Sequence, residues 1–242
     1  MIVQLCIPSG NQVVLPPSVF VTNGTMPIAF LIYGSLAYSL IAAMFLIVSK
    51  KMTGNRISQG LKFGFANILI WTVYLLEPLP HGSPIDRITY PLADGFAFLI
   101  MGCLLGLLLG KKESTAAEKR PISVIPLFSI SIFFMIGRLL QYHVFDIYSS
   151  FEEKRGETLL WCALTGLVIA CVLSWFASYV PRKRRFANTL LVGGILFGLN
   201  LLLFNGFMPL VFEADLLDLL VRTGLDIVSV TIGCLFFKVE KG

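Results

Sequence analysis

Seven apolar runs, each about as long as a membrane-spanning helix, account for most of this 242-residue chain. The hydrocarbon core of a bilayer is roughly 30 Å thick, and a helix rising about 1.5 Å per residue crosses it in roughly 20 residues. Unpaired backbone groups are costly in lipid, so each run is expected to be helical. The runs are residues 27–49, 60–77, 91–110, 122–145, 158–180, 187–208 and 216–237.

The composition excludes an ordinary soluble fold. Hydrophobic residues make up 56% of the chain and charged residues only 14%, whereas soluble domains carry about a quarter charged residues. The basic residues lie in short clusters between the runs, a pattern that argues against nucleic-acid binding. We therefore predict an all-α integral membrane protein, with an outer N-terminal arm (1–26) and a single transmembrane helical domain (27–242).

The loops alternate between basic and acidic, and this predicts the orientation. Fourteen Lys and Arg residues lie on one side of the predicted membrane and three on the other. Basic loops stay in the cytoplasm, so the bias predicts an outside N-terminus and a cytoplasmic C-terminus. The expected location is the plasma (cytoplasmic) membrane. The fourteen are Lys50, Lys51, Arg56, Lys62, Lys111, Lys112, Lys119, Arg120, Arg182, Lys183, Arg184, Arg185, Lys238 and Lys241, and the three are Arg87, Lys154 and Arg155.

Metal and disulfide chemistry find little support in the sequence. The chain has five cysteines and two histidines, and no CxxC or Cys/His ligand spacing. Four of the cysteines lie within apolar runs, where free cysteine behaves as a small hydrophobic residue. We predict no metal site and no cofactor.

A weak internal repeat relates the two halves of the chain. Residues 56–64 and 185–193 both open with arginine and close with glycine, and residues 102–104 and 233–235 are both Gly-Cys-Leu. The pattern predicts two parallel three-helix units joined by the fourth helix, a 3+1+3 arrangement. This arrangement is similar to that of SWEET sugar facilitators and PnuC-type vitamin transporters. The likeness is one of architecture, since no proline is followed by glutamine as in their family-defining pair.

Ionisable residues inside the apolar runs are the best candidates for function. A charge in hydrocarbon costs at least about 2.5–3.5 kcal/mol, so it is kept only when paired, hydrated or useful. Asp218, Arg222 and Asp226 are spaced four residues apart, which places them on one face of the seventh helix. The candidate solute- or ion-binding residues are Asp226, Arg222, Asp218, Arg138, His143, Asp94, Glu77 and Asn200.

Two interpretations of these residues remain open. In the first they line a polar, water-filled cavity in the outer half of the bundle. In the second they form structural ion pairs between helices, such as Arg138 with Asp94 or Arg222 with Asp226. Charges of both signs are present in similar numbers, so the sequence does not choose between a cation, an anion and a zwitterion.

The predicted function is transport or facilitation of a small polar solute or ion. The alternative is a non-transporting sensor, immunity or assembly subunit whose charges hold helices together. An intramembrane enzyme is a second alternative, although the chain has no GxSxG, HExxH or paired-aspartate motif. A rhodopsin, which also has seven helices, would need a lysine in the last helix to bind retinal as a Schiff base. The seventh run has no lysine before Lys238.

Glycines spaced four residues apart mark close helix contacts. Gly102, Gly106 and Gly110 lie on one face of the third helix, and such faces let two helices approach closely. The contact is expected either within the chain or in a homodimer. The predicted partners are therefore the lipid bilayer, a small polar solute or ion and a second copy of the chain, without nucleic acid.

Overall fold

The structure is a computed structural model that describes residues 12, 14–111, 123–180 and 184–238. Within these residues the regular elements are helices, together with an isolated antiparallel bridge between Pro17 and Phe212. Cys6 and several of the basic residues used for orientation fall outside the described residues: Lys112, Lys119, Arg120, Arg182, Lys183 and Lys241.

The described residues form one short helix and seven long ones. The short helix α1 is a single turn, Val19–Thr22, inside the N-terminal arm. The long helices are α2 (Met26–Val48), α3 (Arg56–Leu75), α4 (Asp86–Leu109), α5 (Val124–His143), α6 (Arg155–Ala177), α7 (Arg185–Val211) and α8 (Leu216–Cys234).

Five of the long helices are long and apolar enough to cross a membrane: α2, α4, α5, α6 and α7. The structure thus supports an all-α, multi-pass membrane protein. The other two, α3 and α8, are more polar, and part of that polarity is buried, including Asn67 on α3 and Arg222 and Asp226 on α8. The count of seven spans and the orientation remain predictions.

Consecutive long helices run antiparallel, so their ends gather at two opposite ends of the bundle. At one end Lys111 N donates to Gln59 Oε1 at 3.2 Å, and Arg185 Nε donates to Leu235 O at 2.6 Å. At the other end Arg87 pairs with Glu157 at 2.7 Å. We call these the basic end and the acidic end, after the residues that the sequence places there.

The helix α4 starts at Asp86, five residues before the predicted position 91. Ser83 Oγ donates to Asp86 Oδ2 at 2.7 Å, and Asp86 N is 3.3 Å from Ser83 Oγ. This reciprocal pairing resembles a capping box and holds the turn before the helix, whose N-cap residue, Ile85, makes no side-chain cap hydrogen bond. Pro91 then lies inside the helix, within its first two turns.

The helix α7 contains a wide π-helical segment at Leu190–Leu199. Alpha-helical turns precede it at Arg185–Thr189 and follow it at Asn200–Asn205. Extended π-helical geometry is rare and tends to occur at functional positions. The apolar pattern of the sequence did not distinguish this segment from ordinary helix.

A glycine seam, formed by Gly60 and Gly64 on α3 and Gly102 and Gly106 on α4, brings two helices into backbone contact. A Cβ atom on Gly60 would overlap the carbonyl oxygen of Gly102, and one on Gly102 would overlap the carbonyl oxygen of Gly60. The glycine face of α4, the third predicted span, is thus in contact with α3 of the same chain. A homodimer through Gly102, Gly106 and Gly110 stays a prediction, and it would have to displace α3 from this face.

Adding a methyl group in the glycine seam should destabilise the protein. We expect Gly60→Ala to cost about 1–3 kcal/mol, as for overpacked cores, because rigid backbone lies where its methyl group would go. Thermal unfolding of the purified protein in detergent measures the effect. The matched control is Gly224→Ala on α8, where a Cβ atom meets nothing within 4 Å. Equal melting temperatures for the two variants would contradict the seam.

Candidate functional site

Five charged side chains form a connected network near the acidic end of the bundle. They are Glu77 after α3, Arg138 on α5, and Asp218, Arg222 and Asp226 on α8. We call them the ion network. Four of them are less than a tenth exposed, and only the Asp218 side chain, at 19%, is partly open to its surroundings.

Arg138 lies at the centre of the ion network. Its Nη1 is 2.9 Å from Glu77 Oε1 and its Nη2 is 2.7 Å from Asp226 Oδ2, and its side chain is 0% exposed. Three aromatic rings also surround the guanidinium, with centroids 4.7 Å (Trp161), 5.5 Å (Phe134) and 5.6 Å (Tyr74) from its central carbon. Ring faces attract cations most strongly where water is excluded.

Glu77 connects the two arginines. Its Oε1 accepts from Arg138, and its Oε2 is 3.5 Å from Nη1 of Arg222. Arg222 also lies 3.9 Å from Asp218, one helical turn away. Each arginine therefore contacts two carboxylates, and the pairs alternate in sign from Asp226 to Asp218.

Asp226 receives three donors, which satisfies both of its carboxylate oxygens. Arg138 and the hydroxyl of Tyr74 (3.1 Å) contact Oδ2, and Gln141 Nε2 contacts Oδ1 at 2.7 Å. Gln141 lies one turn after Arg138 on α5, so a single helix face supplies two of the three donors. A carboxylate held this way is firmly oriented.

A loop at the acidic end covers the network through Tyr148. The backbone N–H of Tyr148 donates to Asp218 Oδ1 at 2.9 Å, and its carbonyl accepts from Arg222. Its hydroxyl lies 3.0 Å from Nδ1 of His81, and the rings of His81 and Tyr148 stack on each other. His81 also contacts Phe212, which pairs with the N-terminal arm at Pro17. We call Tyr148, His81 and Phe212 the cap.

The structure unites five of the eight candidate residues. Asn200 is buried elsewhere, where it accepts from Trp71 at 2.7 Å and donates to Asn67 at 2.6 Å. Asp94 is buried on α4. His143 is exposed, with its ring against Phe151. Of the eight, these three are the ones that do not take part in the ion network.

The ion pairs differ from those that the sequence suggested. Arg138 takes Asp226 and Glu77, and Arg222 takes Glu77 and Asp218. Four contributors were missed: Tyr74, Phe134, Gln141 and Trp161. Gln141 could have been found, because it lies three residues from Arg138 on an apolar helix. The aromatic residues carried no signal that set them apart from ordinary core residues.

Comparison with known proteins gives no relative: no protein-family model, curated protein or solved structure matches the chain. The site must therefore be interpreted from its own chemistry.

Removing one member of the central pair should cost more than removing both. We expect Arg138→Met to lose about 3–5 kcal/mol, because Asp226 and Glu77 then lie buried without their guanidinium. Adding Asp226→Leu should recover much of that loss, since an apolar pair of similar size can replace a buried ion pair. Unfolding of the two single variants and the double variant, each in detergent, completes the cycle. Additive losses would contradict the pairing.

Acid should weaken the cap through His81. Burial, and then the nearby Arg222, lower the pKa of His81 below its ordinary 6.5, against smaller opposing effects of Glu77 and Asp86. The unfolded chain therefore binds this proton more readily. The stability contribution of neutral His81 is complete above pH 6.5 and is lost as the pH falls through the lowered pKa.

The measurement is melting temperature against pH for wild type and His81→Gln. We expect the difference between the two proteins to shrink as the pH drops below 6.5. His143→Gln is the control, because that ring is exposed at the same end of the bundle. A pH profile of His81→Gln parallel to that of wild type would show that His81 does not sense acid.

Proposed function

We propose that the protein transports, or facilitates the movement of, a small polar solute or ion, and that the ion network is its binding site. The observation that carries the proposal is the burial of Glu77, Arg138, Arg222 and Asp226 together, inside a bundle of membrane-type helices. Ionisable groups at such positions mark solute and ion pathways in membrane proteins.

Stability alone is a weak reason to keep this network. Desolvating charges costs several kcal/mol per ion, and well-packed apolar residues often do as well or better. The sequence offers abundant apolar residues at neighbouring positions on the same helices. A network that is costly to bury and replaceable as a structural element is more readily explained by a function that needs charge.

The position of the network suits access from the acidic end. Asp218 is its most exposed member, and the loop that carries Tyr148 lies directly against it. The acidic end is the outer side in the proposed N-out, C-in orientation. A solute from outside would reach the cap first, then Asp218 and Arg222, and Asp226 last.

A second candidate function is that of a non-transporting membrane subunit, in which the network only clamps helices. It is favoured by the charge balance of the four most buried members, two carboxylates and two guanidiniums, and by the three donors on Asp226. In that case the network would be fixed in this paired arrangement.

Flux measurements separate the two candidates. Purified protein is reconstituted into liposomes and offered inorganic cations, organic cations, anions and neutral sugars. We expect flux of at least one solute and at least a tenfold loss in Asp226→Asn, which keeps the shape of the side chain but removes its charge. Glu213→Gln, at an exposed outer position, should match wild type. Folded wild-type protein that moves none of these solutes would overturn transport and leave the clamp.

A further inference from the structure

The ion network has one more carboxylate than guanidinium groups. Glu77, Asp218 and Asp226 face Arg138 and Arg222, so the ionised network carries one excess negative charge. The two arginines divide three carboxylates between them, and Glu77 serves both. A single added positive charge would give every carboxylate its own cation. The charge count therefore favours a monovalent cation as ligand.

Three rings and two carboxylates around Arg138 form what is chemically a cation-binding box. Trp161, Phe134 and Tyr74 surround the guanidinium, while Glu77 and Asp226 accept from its two terminal nitrogens. Aromatic ring faces attract organic cations, and carboxylates make strong charge-assisted hydrogen bonds to ammonium and guanidinium groups. We call these five residues the cation box, and the protein's own arginine occupies it here.

An unpaired acceptor lies beside Asp226. Gln141 donates from Nε2 to Asp226, yet its Oε1 is buried and has no hydrogen-bond partner among the described residues. Within the described part of the chain, the Nε donors of Arg138 and Arg222 also have no hydrogen-bond partner. The acceptor lies next to the carboxylate at the deep end of the network, where an N–H group of a ligand would be held by both oxygens.

We infer that the cation box binds a monovalent organic cation with N–H donors, a primary ammonium or a guanidinium. This rests on the proposed transport function and names its substrate class. The ligand pairs with Asp226 and Gln141 Oε1 and lies against the aromatic rings. Arg138 then keeps Glu77, and Arg222 keeps Asp218, so that three cations match three carboxylates.

The same chemistry disfavours the other ligand classes. An anion would have to enter a site that already carries excess negative charge. An alkali ion is bound best by several oxygen atoms, whereas ring faces form much of the wall around Arg138. A neutral sugar would leave the charge imbalance unchanged. A binding experiment with one probe from each ligand class can therefore distinguish them.

The experiment measures ligand binding by calorimetry and thermal shift on the purified protein in detergent, at constant ionic strength. The probes are methylammonium, methylguanidinium, tetramethylammonium, potassium and acetate. We expect methylammonium and methylguanidinium to bind and to raise the melting temperature. Tetramethylammonium, which has no N–H donor, should bind at least tenfold more weakly, and potassium and acetate should not bind.

Matched variants test the box itself. Trp161→Leu and Trp161→Phe both lose the hydrogen bond from Trp161 Nε1 to Val73 O, but only the phenylalanine keeps a ring face. We expect Trp161→Phe to retain binding, Trp161→Leu to weaken it at least tenfold, and Asp226→Asn to abolish it. Glu213→Gln should bind as wild type does. If Trp161→Leu does not fold, two measurements still test the inference. They are the affinity of the wild-type protein for methylammonium relative to tetramethylammonium, and the affinity of Asp226→Asn for methylammonium.

The outcomes distinguish this inference from transport in general. Binding of potassium alone or of acetate alone would overturn the ligand class. Liposome flux of some other solute without binding of either N–H cation would also overturn it, with transport intact. Binding of methylammonium that depends on Asp226, without any flux, would support the cation box and overturn transport.

Discussion

The contacts at the acidic end of the bundle centre on the buried guanidinium of Arg138. Arginine does not deprotonate in proteins, so Arg138 keeps its charge at 0% exposure and must find its counter-charges inside the bundle. Asp226 on α8 and Glu77 after α3 supply them, and this joins three separate helices at one point. Glu77 also contacts Arg222, whose Nη2 lies against Asp218 and the carbonyl of Tyr148. Through these contacts the rings, the network and the cap are linked to one buried charge.

The groups that would hold a ligand are also the groups that hold the helices. Arg138 and Gln141 on α5 meet Asp226 on α8, so any cation that takes Asp226 weakens the link between these two helices. A ligand shifts a conformational equilibrium only by its differential affinity for the states involved. The proposed cation would differ in this respect, because it would exchange an interhelical ion pair for a pair between protein and ligand. Its binding would therefore loosen the contact between α5 and α8, as the proposed transport function requires.

Sequence reasoning succeeded where a periodic pattern carries the information. The spacing of Asp218, Arg222 and Asp226 predicted a shared helix face, and all three are in the network. It could not predict the partners, since Arg138 reaches Asp226 from another helix and Glu77 lies in a loop whose path depends on the whole bundle. His143 was chosen for its closeness to Arg138 in the chain, yet five residues turn a helix by about 140°, and its ring is exposed. The π-helical segment was missed because i→i+5 bonding leaves the apolar pattern of Leu, Val and Gly unchanged.

The π-helical segment Leu190–Leu199 has a consequence for how the chain tolerates changes in length. A π turn closes around one more residue than an α turn, so this stretch holds surplus residues relative to an ordinary helix. Deleting one residue there converts a π turn to an α turn and leaves Asn200, with its bonds to Trp71 and Asn67, in place. The same deletion in α8 would rotate Asp226 and everything after it by about 100°. Insertions and deletions along this chain should therefore be absorbed in α7 and be destructive in α8.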